Sequence, residues 1–119
     1  MQPLCVHHVS VNVADVTKGV AFYTRVLGGT VRDDRPSLGF GGAWIDLGAT
    51  QVHLIEAAAP ANLGQHFAIQ VDDLDEAVAE LRGAAVAVSD PVAIGANRQS
   101  FLEDPFGNAI ELHEVAAAS

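Results

Sequence analysis

Apolar and polar residues alternate over residues 4–13, with Val9, Val11 and Val13 on one side and His8, Ser10 and Asn12 on the other. A period of two marks a strand with one buried face. Beyond Asp15, a helix-capping residue type, Val16, Val20, Tyr23 and Leu27 change to helical spacing, and Gly28-Gly29 ends it. Residues 30–33 then read as a short strand and 35–42 as a glycine-rich loop. Residues 43–47 and 50–56 read as a hairpin around Gly48-Ala49. The same order recurs in the second half. Residues 65–72 predict a strand, and 74–82 a helix capped by Asp73 and stopped by Gly83. Residues 86–92 predict another strand. Residues 98–103 and 108–115 predict a hairpin turning through Asp104-Pro-Phe-Gly107, and the tail 116–119 is expected to fray.

The pattern is therefore α+β, with two βαβββ modules at residues 1–57 and 65–115 joined by a linker at 58–64. Each module alone is near the size at which a hydrophobic core is marginal, so the modules are expected to share buried surface in a single domain spanning 1–119.

The two modules echo each other. Displaced by 58 positions, His8 falls on His66 and His53 on Glu111, and the residues around them move in step. Strand parity then assigns a face to each. Val9 and Val11, Val52 and Leu54, Phe67 and Ile69, and Ile110 and Leu112 occupy the alternate positions and belong beneath the helices. His8, His53, His66 and Glu111 consequently lie on the opposite face. Three imidazoles and a carboxylate suit a divalent transition metal, with zinc, nickel, cobalt, manganese and iron all compatible. Parity supplies the common face but not the curvature or the distances.

Charge narrows the partners. Only six of the 119 residues are Lys or Arg and the net charge is −9, which disfavours nucleic acid and anionic lipid surfaces. Residues 1–119 contain no secretory leader pattern and no run long enough to span a bilayer, so a cytoplasmic protein is expected. Cys5, the one cysteine, shares the parity of Val9 and is expected to be a buried apolar side chain.

Several segments together resemble the vicinal oxygen chelate superfamily of glyoxalases, bleomycin-resistance proteins and dioxygenases. They are His8-Val, Val13-Ala-Asp15, Phe22-Tyr23, Leu27-Gly28, His66-Phe-Ala-Ile-Gln-Val-Asp72 and Glu103-Asp-Pro-Phe-Gly-Asn108 leading into Ile110-Glu-Leu. The resemblance implies a glyoxalase-like fold in which paired βαβββ modules form an open, barrel-like mixed sheet around a metal, with a homodimer often completing the site. It implies metal ligands at His8, His66 and Glu111, while His53 stands where glyoxalases and epimerases usually carry Glu or Gln. Glu111 is then the aligned carboxylate left to move a proton α to a carbonyl.

The resulting expectation is a metal-dependent lyase or isomerase acting on a small molecule that chelates through oxygen. The alternatives are a bleomycin-resistance-like binding protein without catalysis, a fosfomycin-type thiol transferase, or a small dioxygenase. Ser10, Gln70 and His113 share the parity of the ligands, and Trp44 and Arg98 complete the candidate substrate pocket. Their ordinary readings are polar lining for Ser10 and Gln70, surface for His113 and Arg98, and core for Trp44.

Overall fold

A computed structural model describes residues 1–117, which form two compact units, Met1–Pro60 and Ala61 onward. Ala118 and Ser119, part of the tail expected to fray, lie outside the described residues. Each unit has the predicted βαβββ order. The first contains β1 (His8–Val13), α1 (Val16–Ala21), β2 (Thr30–Val31), β3 (Gly42–Leu47) and β4 (Thr50–Glu56). The second contains β5 (His66–Gln70), α2 (Leu74–Gly83), β6 (Val92–Ile94), β7 (Asn97–Glu103) and β8 (Ala109–Glu114).

Each unit builds one four-stranded mixed sheet, ordered β1-β4-β3-β2 or β5-β8-β7-β6, and neither sheet is closed into a barrel. The first and last strands of each unit pair in parallel, and the remaining pairs are antiparallel. The 58-residue echo extends to this register. His8 pairs with Gln51 and Ser10 with His53, while His66 pairs with Ala109 and Ala68 with Glu111. The inner hairpins break the echo by one residue, because Trp44 pairs with His53 whereas Phe101 pairs with Glu111.

The helices begin at side-chain caps. Asp15 accepts the Lys18 N–H and Asp73 the Glu76 N–H, each at 3.0 Å. A second anion serves α2, where Glu114 Oε2 accepts the Leu74 N–H at 2.7 Å. The first helix opens into a π-helical turn over Phe22–Val26, with the Thr24 hydroxyl donating to the Val20 carbonyl at 2.7 Å. In the first unit, Phe22 and Tyr23 of this helical segment share the buried core with Val13, Ile45, Val52 and Leu54. In the second unit the corresponding core is Leu74, Val78, Leu81, Leu102, Ile110 and Leu112. Val9, Val11, Phe67 and Ile69 point the same way but stay half-buried, because β1 and β5 are sheet edges.

Three local expectations need correction. The strand expected at 86–92 lies instead at Val92–Ile94, leaving Val88 in an isolated bridge to Leu102. Pro91 has no N–H to give the ladder, and the Ser89 hydroxyl takes the Phe101 N–H at 2.8 Å. The strand expected to start at residue 4 begins at His8, and Cys5, outside it, is exposed rather than buried. At the C-terminal end, Ala116 is tied down by its N–H to Asn97 Oδ1 at 2.9 Å. Among the described residues no helix is long and apolar enough to cross a membrane.

Candidate metal and substrate site

In the first unit, strands β1, β4 and β3 place three rings in one stack. His8 and His53 lie 3.8 Å apart between centroids at an interplanar angle of 12°. Trp44 covers the other face of His53 at 4.5 Å and 11°. The cross-strand pairing of Trp44 with His53 makes this contact, so Trp44 belongs to the polar face and not to the core. His53 Nε2 donates to Gln51 Oε1 at 2.8 Å, since a carboxamide oxygen only accepts, and His53 therefore carries its proton on Nε2. Burial, with the neighbouring His8 and His7 next in effect, holds the His53 pKa below the ordinary histidine value. A neutral ring with its Nδ1 lone pair left over is the form that ligates metals. His7 and His8 approach each other at 2.9 Å between their Nδ1 atoms.

The second unit pairs His66 with Glu111. His66 Nε2 lies 3.1 Å from Glu111 Oε1, and His66 Nδ1 donates to the Gly64 carbonyl at 2.9 Å. Gly64 has φ +104°, a conformation that a side chain would strain and that turns this carbonyl onto the ring. The Gly64 hydrogen bond, followed by Glu111, raises the His66 pKa above its ordinary value. Glu111 is 8 % exposed, and its second oxygen accepts from His113 Nδ1 at 2.7 Å. Phe101 meets His66 edge-on at 5.3 Å between centroids. An open recess of about 960 Å³ borders His66 and Phe101 and includes Asn62, Ser89 and Glu103 in its wall.

The expected pocket residues fare differently. Ser10 and Gln70 lie exposed on β1 and β5, in register with His53 and His113. Arg98 is engaged by Asp75 at 2.9 Å and by Glu114 at 3.5 Å. Asp104 builds the turn into β8, accepting the Phe106 and Asn108 N–H groups at 2.9 Å each, while Gly107 supplies φ +88°. Phe101 and Asn97 were not singled out from the sequence. Aligning the inner hairpins at 57 instead of 58 positions puts Phe101 on Trp44, which is the signal that would have found it.

Among the described residues, no group of three or more His, Cys, Asp or Glu side chains is already gathered to hold a metal. The ligand-type residues come in pairs, one pair on each sheet. Their chemistry still fits a divalent ion, since the first pair offers the Nδ1 lone pair of His53 and the second sets His66 Nε2 against the Glu111 carboxylate.

Two βαβββ units, each with two donor-type residues on the sheet face away from its helix, define a glyoxalase-like α+β protein. The chain belongs to the Glyoxalase/Bleomycin resistance protein/Dioxygenase superfamily, which matches residues 6–112. It is 29 % identical to the lactoylglutathione lyase of Salmonella typhimurium, over 93 % of each chain. Among solved structures it is similar to a glyoxalase family protein from Bacillus anthracis, with TM-score 0.86, 28 % identity and coverage of 96 % and 97 %. It is also similar to TnmS3, an antibiotic binding protein from Streptomyces sp. CB03234, with TM-score 0.84, 26 % identity and coverage of 98 % and 99 %.

Proposed function

We propose that this protein is a metal-dependent lyase or isomerase acting on a small substrate that offers two oxygens to a divalent ion. The observation that carries this reading is the contact between His66 Nε2 and Glu111 Oε1 at 3.1 Å. Because the Gly64 carbonyl takes the Nδ1 proton, a neutral His66 presents a lone pair to a carboxylate that also has only lone pairs. The contact is favourable only with something electropositive in it, a proton or a metal ion. Adjacent ligands each about 2.1 Å from an octahedral ion stand about 3 Å apart, so the spacing suits either occupant.

His8, His53, His66 and Glu111 are the proposed ligands, and zinc, nickel, cobalt, manganese or iron the proposed ion. Bound there, the ion supplies Lewis-acid activation of the substrate oxygens. Glu111 would serve as the base for the proton α to the carbonyl through Oε1 when that oxygen is not held by the ion, and its burial keeps water from competing for it. His113 holds the other carboxylate oxygen. The similarity to lactoylglutathione lyase supports this class of reaction. In keeping with the superfamily, we place the protein in the cytoplasm as a homodimer.

A second reading is a protein that sequesters a drug or metabolite without chemistry. It is favoured by the flat Trp44–His53–His8 stack, a surface suited to a planar guest, and by the similarity to TnmS3. A fosfomycin-type transferase fits less well, since Lys18 is the one lysine and Arg98 is already paired with two carboxylates. A small dioxygenase would need iron at the same ligands.

Metal analysis of protein purified without chelator separates the readings. The enzyme reading expects close to one ion per site, or uptake on adding nickel, cobalt, manganese, zinc or iron. No bound metal and no uptake would leave the sequestering protein.

A further inference from the structure

We propose that Asn97 is a positioning residue that holds His113 as its Nδ1–H tautomer and so fixes which oxygen of Glu111 remains open toward His66. The backbone N–H of Ala116 can only donate, and its acceptor is Asn97 Oδ1 at 2.9 Å. That orients the amide, leaving Asn97 Nδ2 toward His113 Nε2 at 3.0 Å. An amide NH₂ group can only donate, so His113 Nε2 must present its lone pair, and the ring proton sits on Nδ1. Nδ1 lies 2.7 Å from Glu111 Oε2 and donates to it.

The other end of the path gives the same result. An ionised carboxylate has only acceptors, so it also requires the hydrogen on His113 Nδ1. The alternative tautomer would oppose two donors at Asn97 and two acceptors at Glu111, both at short range. Asn97 reaches the ring because it shares a face with Gln99, the residue paired with His113 across β7 and β8. The result is an asymmetric carboxylate: Oε2 is committed to His113, and Oε1 is the oxygen that faces His66. Networks of this kind orient the groups that hold or move charge, and their loss is felt although they touch neither ion nor substrate.

The assignment of the open oxygen to proton transfer rests on the function proposed above; the tautomer does not. Nitrogen NMR of the histidine rings in the metal-free full chain, at a pH of about 8 where ordinary histidines are neutral, reads it directly. Wild-type His113 is expected as Nδ1–H. Asn97→Asp places an acceptor against Nε2 while Glu111 Oε2 still takes the Nδ1 hydrogen, and is expected to put a hydrogen on Nε2 as well, giving the doubly protonated ring. Asn97→Ala, which removes the donor from Nε2, is expected to keep Nδ1–H as the major form through Glu111 but with a larger Nε2–H fraction than wild type. Wild-type His113 as Nε2–H, or the same ring form in wild type and Asn97→Asp, would overturn the proposal. Cobalt binding gives a second readout, with Asn97→Asp expected to weaken it about 10- to 100-fold. The expected ring forms without any cobalt uptake would sustain the role of Asn97 and remove the metal reading instead.

Discussion

His66 and Glu111 face each other across 3.1 Å, and the other contact of each is already committed, His66 Nδ1 to the Gly64 carbonyl and Glu111 Oε2 to His113 Nδ1. The facing atoms are the ones left to take up a proton or an ion.

That arrangement ranks the ligands. His66→Ala removes a ring nitrogen and Glu111→Gln the only negative charge of the set, so both are expected to lower cobalt affinity by at least 100-fold. His53→Ala is expected to cost less than His8→Ala, because His53 is enclosed between two rings and bonded to Gln51. Calorimetric titration of the metal-free variants measures the order. Equal losses at His8 and His53 would contradict it.

Gly64→Ala should act at a distance from any ligand atom. An added Cβ meets nothing within 4 Å, so the cost comes from the backbone at φ +104°. A strain of about 1–3 kcal/mol is expected. Relaxing that strain turns the carbonyl away from His66, which frees the ring to adopt either tautomer. Thermal denaturation and ring NMR of the variant check both effects, and an unchanged melting temperature with an unchanged His66 tautomer would refute the role given to Gly64.

Metal-free protein should titrate its two half-sites in opposite directions. His53 is held below about 6.5 by burial and His66 above it by its Gly64 and Glu111 hydrogen bonds. The folded state then favours protonated His66, a contribution complete below pH about 6.5 and lost as pH rises through the raised folded value. It disfavours protonated His53, so that contribution is complete above pH about 6.5 and lost as pH falls through the lowered folded value. Proton NMR titration of the ring signals is expected to place His53 below His66. The reverse order would contradict these environments.

Ser100 offers a stability test away from the site. It is fully buried on the helix-facing side of β7, and its hydroxyl has no hydrogen-bond partner. Leaving a hydroxyl unpaired in an apolar core costs about 1–3 kcal/mol. Ser100→Ala is therefore expected to be neutral or stabilising by up to about 1 kcal/mol, whereas Ile110→Ala, at a fully buried core position, should lose about 2–5 kcal/mol. Denaturant unfolding of the two variants decides this, and clear destabilisation by Ser100→Ala would show that the hydroxyl has a partner.

Element order and the two faces of each sheet were legible because they depend on period and parity, which are local. Val52, Leu54, Ile110 and Leu112 went under the helices, and the matched registers of His8 with Gln51 and His66 with Ala109 follow the 58-residue echo. The position of β6 was not legible, since Pro91 and the Ser89 hydroxyl decide it through a pairing partner in β7. The place of Phe101 was hidden for a related reason. A one-residue change in hairpin register moves an aromatic onto the polar face, and nothing within either strand records the register of its neighbour. Asn97 stayed hidden because its contact is with a side chain 16 residues on and a backbone N–H beyond that.

Anomalous diffraction from crystals grown with cobalt or nickel tests the central claim most directly. A single strong peak is expected within about 2.0–2.2 Å of His66 Nε2 and Glu111 Oε1, with His8 and His53 as the further proposed protein ligands. A peak held by other residues, or His66 and Glu111 still in direct hydrogen bond with no metal density beside them at saturating ion, would contradict it.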